Sequence, residues 1–108
     1  LSTLVEDNLP TEVMTNSQDL ADLPNGKSVW VYGVVASAQR PPTAKGVAFL
    51  ALEDEDGIIN VVIRQNVYDA HRRALKRPFL AIQGRVERRG RSVNILAQEI
   101  LPLDVMLE

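Results

Sequence analysis

No cysteine occurs among the 108 residues, which excludes disulfides and thiolate metal sites and fits a reducing, cytoplasmic setting. Histidine occurs once, as His71, so nucleophilic or general-base catalysis has little to build from, and no cofactor or metal is expected. Apolar residues make up 45% of the chain, yet none of their runs approaches the roughly 18 residues that a membrane-crossing helix needs. No basic stretch followed by an apolar one opens the sequence, so no signal peptide is expected. Aromatics are scarce: Trp30, Tyr32, Phe49, Tyr68 and Phe79. The chain opens on Leu1 rather than Met, and we expect it to be a piece of something longer. Its length suits one domain with a single core.

Charge of one sign is missing from a whole segment. Residues 1–26 hold Glu6, Asp7, Glu12, Asp19 and Asp22 and no Lys or Arg. Residues 27–101 hold all twelve Lys and Arg against seven acids, a segregation that the formal net charge of −2 conceals. A basic body behind an acidic leader points to an anionic partner, although ordinary solvated charge would look the same.

The leader, residues 1–26, is interrupted by Pro10 and Pro24 and lacks sustained periodicity. It offers at most a short helix near Gln18 to Leu23 with Ser17 as N-cap, packing Leu20 and Leu23 against the body. Pro24-Asn25-Gly26 reads as a turn. From Ser28 the pattern changes to strands. SVWVYGVVASA is the first, with Gly33 where a bulge or bend is expected. VAFLALED and IINVVIR are the second and third, joined by an acidic turn ending in Gly57. QNVYDAHRRALKR has helical spacing, with Val67, Ala70, His71, Ala74 and Leu75 on one face, and Pro78 stops it. FLAIQGRVE and SVNILAQEIL are the fourth and fifth strands, joined by Arg88-Arg89-Gly90-Arg91.

Three meandering strands, one helix and a hairpin match an all-β, five-stranded OB-fold barrel with a helix between strands three and four. An open five-stranded sheet with the helix on one face is the rival. The bend glycines in strands one and four favour closure, which also removes exposed edges. The resulting organisation is an acidic leader over 1–26, the OB domain over 27–101 and a tail over 102–108.

Alternation then sorts the faces. Strand two places Ala48, Leu50 and Leu52 inside and Phe49, Ala51 and Glu53 outside. Strand three places Ile59, Val61 and Ile63 inside and Asn60, Val62 and Arg64 outside. Strand four points Leu80, Ile82, Gly84 and Val86 inward and leaves Ala81, Gln83 and Arg85 outside. Phe49, Asn60 and Arg64 would therefore share an outer face: a ring, an amide and a guanidinium for stacking unpaired bases. The loops expected to flank that face are both basic. Arg40 and Lys45 stand on one, around Pro41-Pro42, and Arg88, Arg89 and Arg91 on the other. Together they could track a phosphate backbone, or merely stiffen and solubilise exposed loops.

Weaker constellations remain. Of Glu53-Asp54-Glu55-Asp56, at most two carboxylates can converge on one face, so a solvated turn explains them better than a cation site. His71 reads as a helix residue near the core boundary. Trp30 and Tyr32 alternate with valines and read as packing residues, facing the leader or another domain, rather than stacking platforms.

The stretch from Gly26 to Leu75 resembles the C-terminal OB domain of error-prone DnaE-type (C-family) bacterial DNA polymerases, damage-tolerance paralogues of the replicative α subunit. The likeness is carried by Gln39-Arg40-Pro41-Pro42-Thr43-Ala44-Lys45-Gly46, by Phe49, by Leu52-Glu53-Asp54-Glu55-Asp56-Gly57 and by Asn60-Val61-Val62. Gly84-Arg85 and Val93-Asn94-Ile95-Leu96-Ala97 extend it to residue 101. The leader matches poorly beyond Asp22-Leu23-Pro24. The resemblance implies a non-catalytic piece of a nucleotidyltransferase that copies damaged templates in DNA repair. It implies single-stranded DNA as partner, with Phe49 as base platform, Arg40, Lys45 and Arg64 on phosphates, and Asn60 on a base edge. Other domains of the parent polymerase, and accessory subunits, are the further expected partners. Two alternatives stay open: a protein-docking OB domain using Trp30, Tyr32 and the leader, and an anticodon-binding OB domain of a tRNA synthetase.

Overall fold

The computed structural model describes residues 15–103. The acids Glu6, Asp7 and Glu12 and most of the expected tail lie outside the described residues. Five strands close into a barrel in the order β1-β2-β3-β5-β4: β1 (Ser28–Gln39), β2 (Ala48–Glu53), β3 (Ile58–Ile63), β4 (Phe79–Arg89) and β5 (Ser92–Pro102). All neighbours are antiparallel except β3 and β5, which run parallel. Closure satisfies the edges that such apolar strands would otherwise expose. It excludes the open-sheet alternative.

β1 does the bending. Its first half, Ser28 to Val34, pairs with β4, and its second half, from Val34 on, pairs with β2. Gly33 sits at the crossover, where a Cβ would lie 2.6 Å from the Glu53 carbonyl oxygen. The register shift itself falls between Val35 and Ser37, two residues later than the glycine. That extra residue reverses the alternation, so Ser37 and Gln39 point outward and Ala38 inward. On β4, Gly84 lies against β5, where a Cβ would meet Ile95 Cγ2 at 2.7 Å and the Leu96 carbonyl oxygen closer still. A register shift lies beside it.

The interior is aliphatic throughout. Leu50, Leu52, Ile59, Val61, Ile63, Leu80, Ile82, Val86 and Ile95 are buried, as their alternation predicts. Between β3 and β4 the chain forms α2 (Gln65–Ala70) and a 310 turn (Ala74–Lys76), shorter than the continuous helix its periodicity predicts. The break comes at His71, where φ −124° and ψ 27° leave the helix and the ring Nδ1 lies 2.8 Å from the Val67 carbonyl. Arg77 must then be extended before Pro78 to enter β4. Val67, Tyr68, Ala74 and Leu75 still pack against the core and plug that end.

The described end of the leader, from residue 15 on, is built into the barrel. Its helix, α1 (Ser17–Leu20), is capped by Asn16, whose Oδ1 accepts from the Asp19 N–H at 2.8 Å, and not by Ser17. Ser17 is occupied elsewhere: its N–H and its hydroxyl both donate to the Asp54 carboxylate at 2.7 Å. Leu20 is buried in the main core, with Leu23 packed against it. Arg88 fastens the far end, donating through Nε to the Leu23 carbonyl at 2.8 Å and through Nη2 to the Ala21 carbonyl.

Asp54 organises two segments at once, because its Oδ1 also accepts from the N–H groups of Asp56 and Gly57. Partial burial pushes this carboxyl up. The Ser17 hydroxyl and the three backbone N–H donors outweigh burial and hold its pKa below the ordinary value. A lowered folded pKa stabilises fully above about pH 4 and loses that contribution as pH falls through the folded value. Asp54→Asn should therefore melt below the native chain at pH 7. The gap should narrow as pH falls through the folded value, where the carboxyl takes up its proton; a gap independent of pH in thermal melts would remove the charge from this account.

Candidate nucleic-acid interface

The outer face of β2 and β3 carries the arrangement that alternation predicts, and strand pairing extends it. Phe49 is 42% exposed, although its neighbours Ala48 and Leu50 are buried. Backbone register aligns two rows across the barrel. One runs Gln39, Phe49, Val62, Leu96, Arg85; the other runs Ser37, Ala51, Asn60, Asn94, Glu87. The first has an apolar middle, Phe49, Val62 and Leu96, between Gln39 and Arg85, and the second is polar except at Ala51, with hydroxyl, amides and carboxylate. Between them lies an open groove of about 360 Å³ whose lining includes Ser37, Gln39, Phe49, Asn60, Val62 and Asn94 and no charged side chain. The small Ala51 side chain leaves the floor low between Ser37 and Asn60.

The cations stand around the groove, not in it. Lys45 is exposed at the β1–β2 loop, just after the 310 turn Pro42–Ala44. Arg64 is exposed at the end of β3, two positions past Val62 on the same face. Arg89 and Arg91 are exposed at the two-residue Gly90-Arg91 hairpin, with Arg89 Nε 3.7 Å from Glu87 Oε1. Arg85 is exposed on the outer face of β4 and donates to the Gly26 carbonyl at 3.1 Å.

Two of the predicted cations have other commitments. Arg40 folds back onto α2, with its guanidinium 4.0 Å from the centre of the Tyr68 ring and Nη2 3.9 Å from Asp69 Oδ1. Its Nε donates to the Gly46 carbonyl, so the arginine bolts its own loop to the barrel's plug. Three donors on the guanidinium's other edges remain for a phosphate. Arg88 is directed to the leader carbonyls, away from the groove. The structure thus gathers Phe49 and Asn60 in the groove, sets Lys45, Arg64, Arg85, Arg89 and Arg91 at its margins, and assigns Arg88 to holding the fold.

Sequence reasoning missed Ser37, Gln39, Asn94, Val62's neighbour Leu96, and Glu87. A signal for the first pair exists: uninterrupted alternation from Val29 would bury Ser37 and Gln39, and two polar residues on a core face point to a bulge. No such signal marks Asn94 or Glu87, whose place depends on the parallel β3–β5 pairing. Ala81 was expected on the exposed outer face. It is outer but fully buried, covered by Leu103 with Trp30, Tyr32, Phe79 and Leu101 packed around. Among the described residues no group of His, Cys, Asp and Glu could hold a metal ion, and no helix is long and apolar enough to cross a membrane.

A closed five-stranded barrel with a groove on β2 and β3 defines an OB-fold nucleic acid binding domain. The family model of that description, the tRNA anti-codon family, matches residues 29–103, and the chain belongs to this family. The chain is 41% identical over 101 residues to the error-prone DNA polymerase of Anaeromyxobacter dehalogenans (strain 2CP-C), covering 93% of this chain and 9% of that protein. It is 46% identical over 89 residues to the error-prone DNA polymerase of Bdellovibrio bacteriovorus, covering 82% of this chain and 8% of that protein. The chain thus spans about a tenth or less of the length of the curated relatives it matches. In fold it is similar to asparaginyl-tRNA synthetase from Pyrococcus horikoshii complexed with asparaginyl-adenylate. That match has a TM-score of 0.67 at 21% identity and covers 82% of this chain and 22% of that one.

Proposed function

We propose that the chain is a single-stranded DNA-binding module of an error-prone DNA polymerase, a non-catalytic domain that holds unpaired template during damage-induced translesion synthesis and repair in the cytoplasm. The observation that carries this reading is the uncharged groove with an exposed ring on its wall, edged by loop cations. Bases stack on Phe49 and meet Asn60, while Lys45, Arg64, Arg85, Arg89 and Arg91 lie along the path of the phosphates. Arg40 contributes chiefly by fixing the Lys45 loop. The polymerase relatives, at 41% and 46% identity, favour DNA over a tRNA anticodon as the ligand.

Salt dependence tests it. Log affinity for single-stranded DNA should fall with log salt by about 0.7 per neutralised phosphate. Lys45→Ala and Arg91→Ala should each lower that slope by about 0.7 and weaken all sequences alike. Unchanged slopes in both variants would take these loops out of the binding site, and tighter binding of RNA than DNA would favour the anticodon alternative. A second reading rests on Trp30, Tyr32, Phe79 and Leu101, half-buried on the outer side of β1, β4 and β5. That patch would dock other polymerase domains or accessory subunits, and it lies apart from the groove.

A further inference from the structure

Glu87 is the one carboxylate in the polar row, one strand beyond the groove's lining at Asn94, and the nucleic-acid reading above leaves it unexplained. Backbone register sets Asn60 opposite Asn94 and Asn94 opposite Glu87. Successive strands stand about 4.8 Å apart, so the row from Asn60 to Glu87 spans about 10 Å, with only its Asn60 end diagonal to the Phe49 ring. The Glu87 side chain is 32% exposed, and its cationic neighbour Arg89 is 76% exposed, an open pair that holds the carboxylate only weakly. A negative charge beside the path of a polyanion weakens binding unless something on the ligand uses it. The bases have what it needs: N–H donors on their unpaired edges.

Resting on that reading, we infer that Asn94, which lines the groove, and Glu87, one strand beyond it, make this face selective for guanine over thymine. In a single strand the pairing edge of each base is free. Guanine presents N1–H and one N2–H side by side, the geometry that a carboxylate accepts in bidentate fashion. Its O6 lies next to them and accepts from an amide N–H, which Asn94 supplies one strand away. Cytosine and adenine offer an amino donor beside an acceptor and satisfy the carboxylate once. Thymine presents one N–H between two carbonyl oxygens, both of which repel it. Asn60, on the other side of Asn94, either supports its amide or meets the next base. The expected order is guanine, then cytosine and adenine, then thymine.

The test uses the 108-residue chain and short dT oligonucleotides in which every third base is replaced by G, C, A or inosine. The guanine series should bind roughly tenfold more tightly than all-dT, the scale of a good bidentate base contact. Inosine lacks the 2-amino group and should lose most of that gain. Glu87→Gln should abolish the guanine preference while leaving all-dT affinity equal or higher, and Asn94→Ala should reduce the preference. Both variants should melt as the native chain does, because both side chains lie on the outer face. Equal native affinity for the guanine and all-dT series overturns the inference, as does a guanine preference that survives Glu87→Gln. Binding to no oligonucleotide at all, even at low salt, overturns the proposed function and this selectivity with it.

Discussion

Phe49→Ala is expected to weaken single-strand binding by about 1–3 kcal/mol while costing only about 0.5 kcal/mol of stability. The ring stands on the outer face of β2 and leaves no cavity when it is removed. Its row partners Gln39 and Val62 keep their backbone pairing. Leu50, the next residue, reverses the pattern. It is 5% exposed inside the barrel, and Leu50→Ala should cost about 2–5 kcal/mol of stability. Any binding defect in that variant would follow unfolding. Denaturant melts beside single-strand titrations distinguish the two. Normal binding by Phe49→Ala would abandon the stacking platform and shift weight to docking through the Trp30 patch. Because stacking carries no net charge, the salt slope of Phe49→Ala should stay native.

Gly84→Ala should be the most damaging single methyl group in the molecule, destabilising by about 3 kcal/mol or more. An added Cβ would press on the Leu96 carbonyl and on Ile95 Cγ2. Leu96 is held there by backbone pairing with both β3 and β4, so the carbonyl cannot swing aside without opening the barrel between them. The clash is with backbone, not with the end of a flexible side chain. An exposed control such as Gln98→Ala should change stability by less than about 0.5 kcal/mol. A native-like melting midpoint for Gly84→Ala would mean that β4 and β5 can separate there without cost.

Alternation made β2 and β3 legible from the sequence. Ala48, Leu50 and Leu52, with Ile59, Val61 and Ile63, read inward without ambiguity, so Phe49 and Asn60 had to face out. The closed barrel was legible from element order and from Gly33 and Gly84. What could not be read were partners distant along the chain. Arg40 meets a ring 28 positions later, at Tyr68, and Arg88 meets carbonyls at Ala21 and Leu23. Neither attachment leaves a periodic trace. Both arginines therefore read as loose loop cations. The helix after β3 was overestimated because one apolar face runs from Val67 to Leu75, and spacing alone cannot register the reversal at His71. Asn94 and Glu87 were hidden for a different reason. A parallel crossover fixes their register, and no local turn reveals it.

The leader's attachment bears on how this domain can be moved between proteins. The family's recognisable stretch begins at residue 29, but Leu20 fills part of the same interior and Ser17 and Ala21 are gripped by Asp54 and Arg88. A graft that begins at the first strand would carry an aliphatic socket with nothing in it, an arginine with no carbonyls to hold and a carboxylate stripped of its best donor. The transplantable unit starts no later than Thr15, whose N–H donates to the Trp30 carbonyl at 2.8 Å, upstream of both the helix cap and the barrel wall.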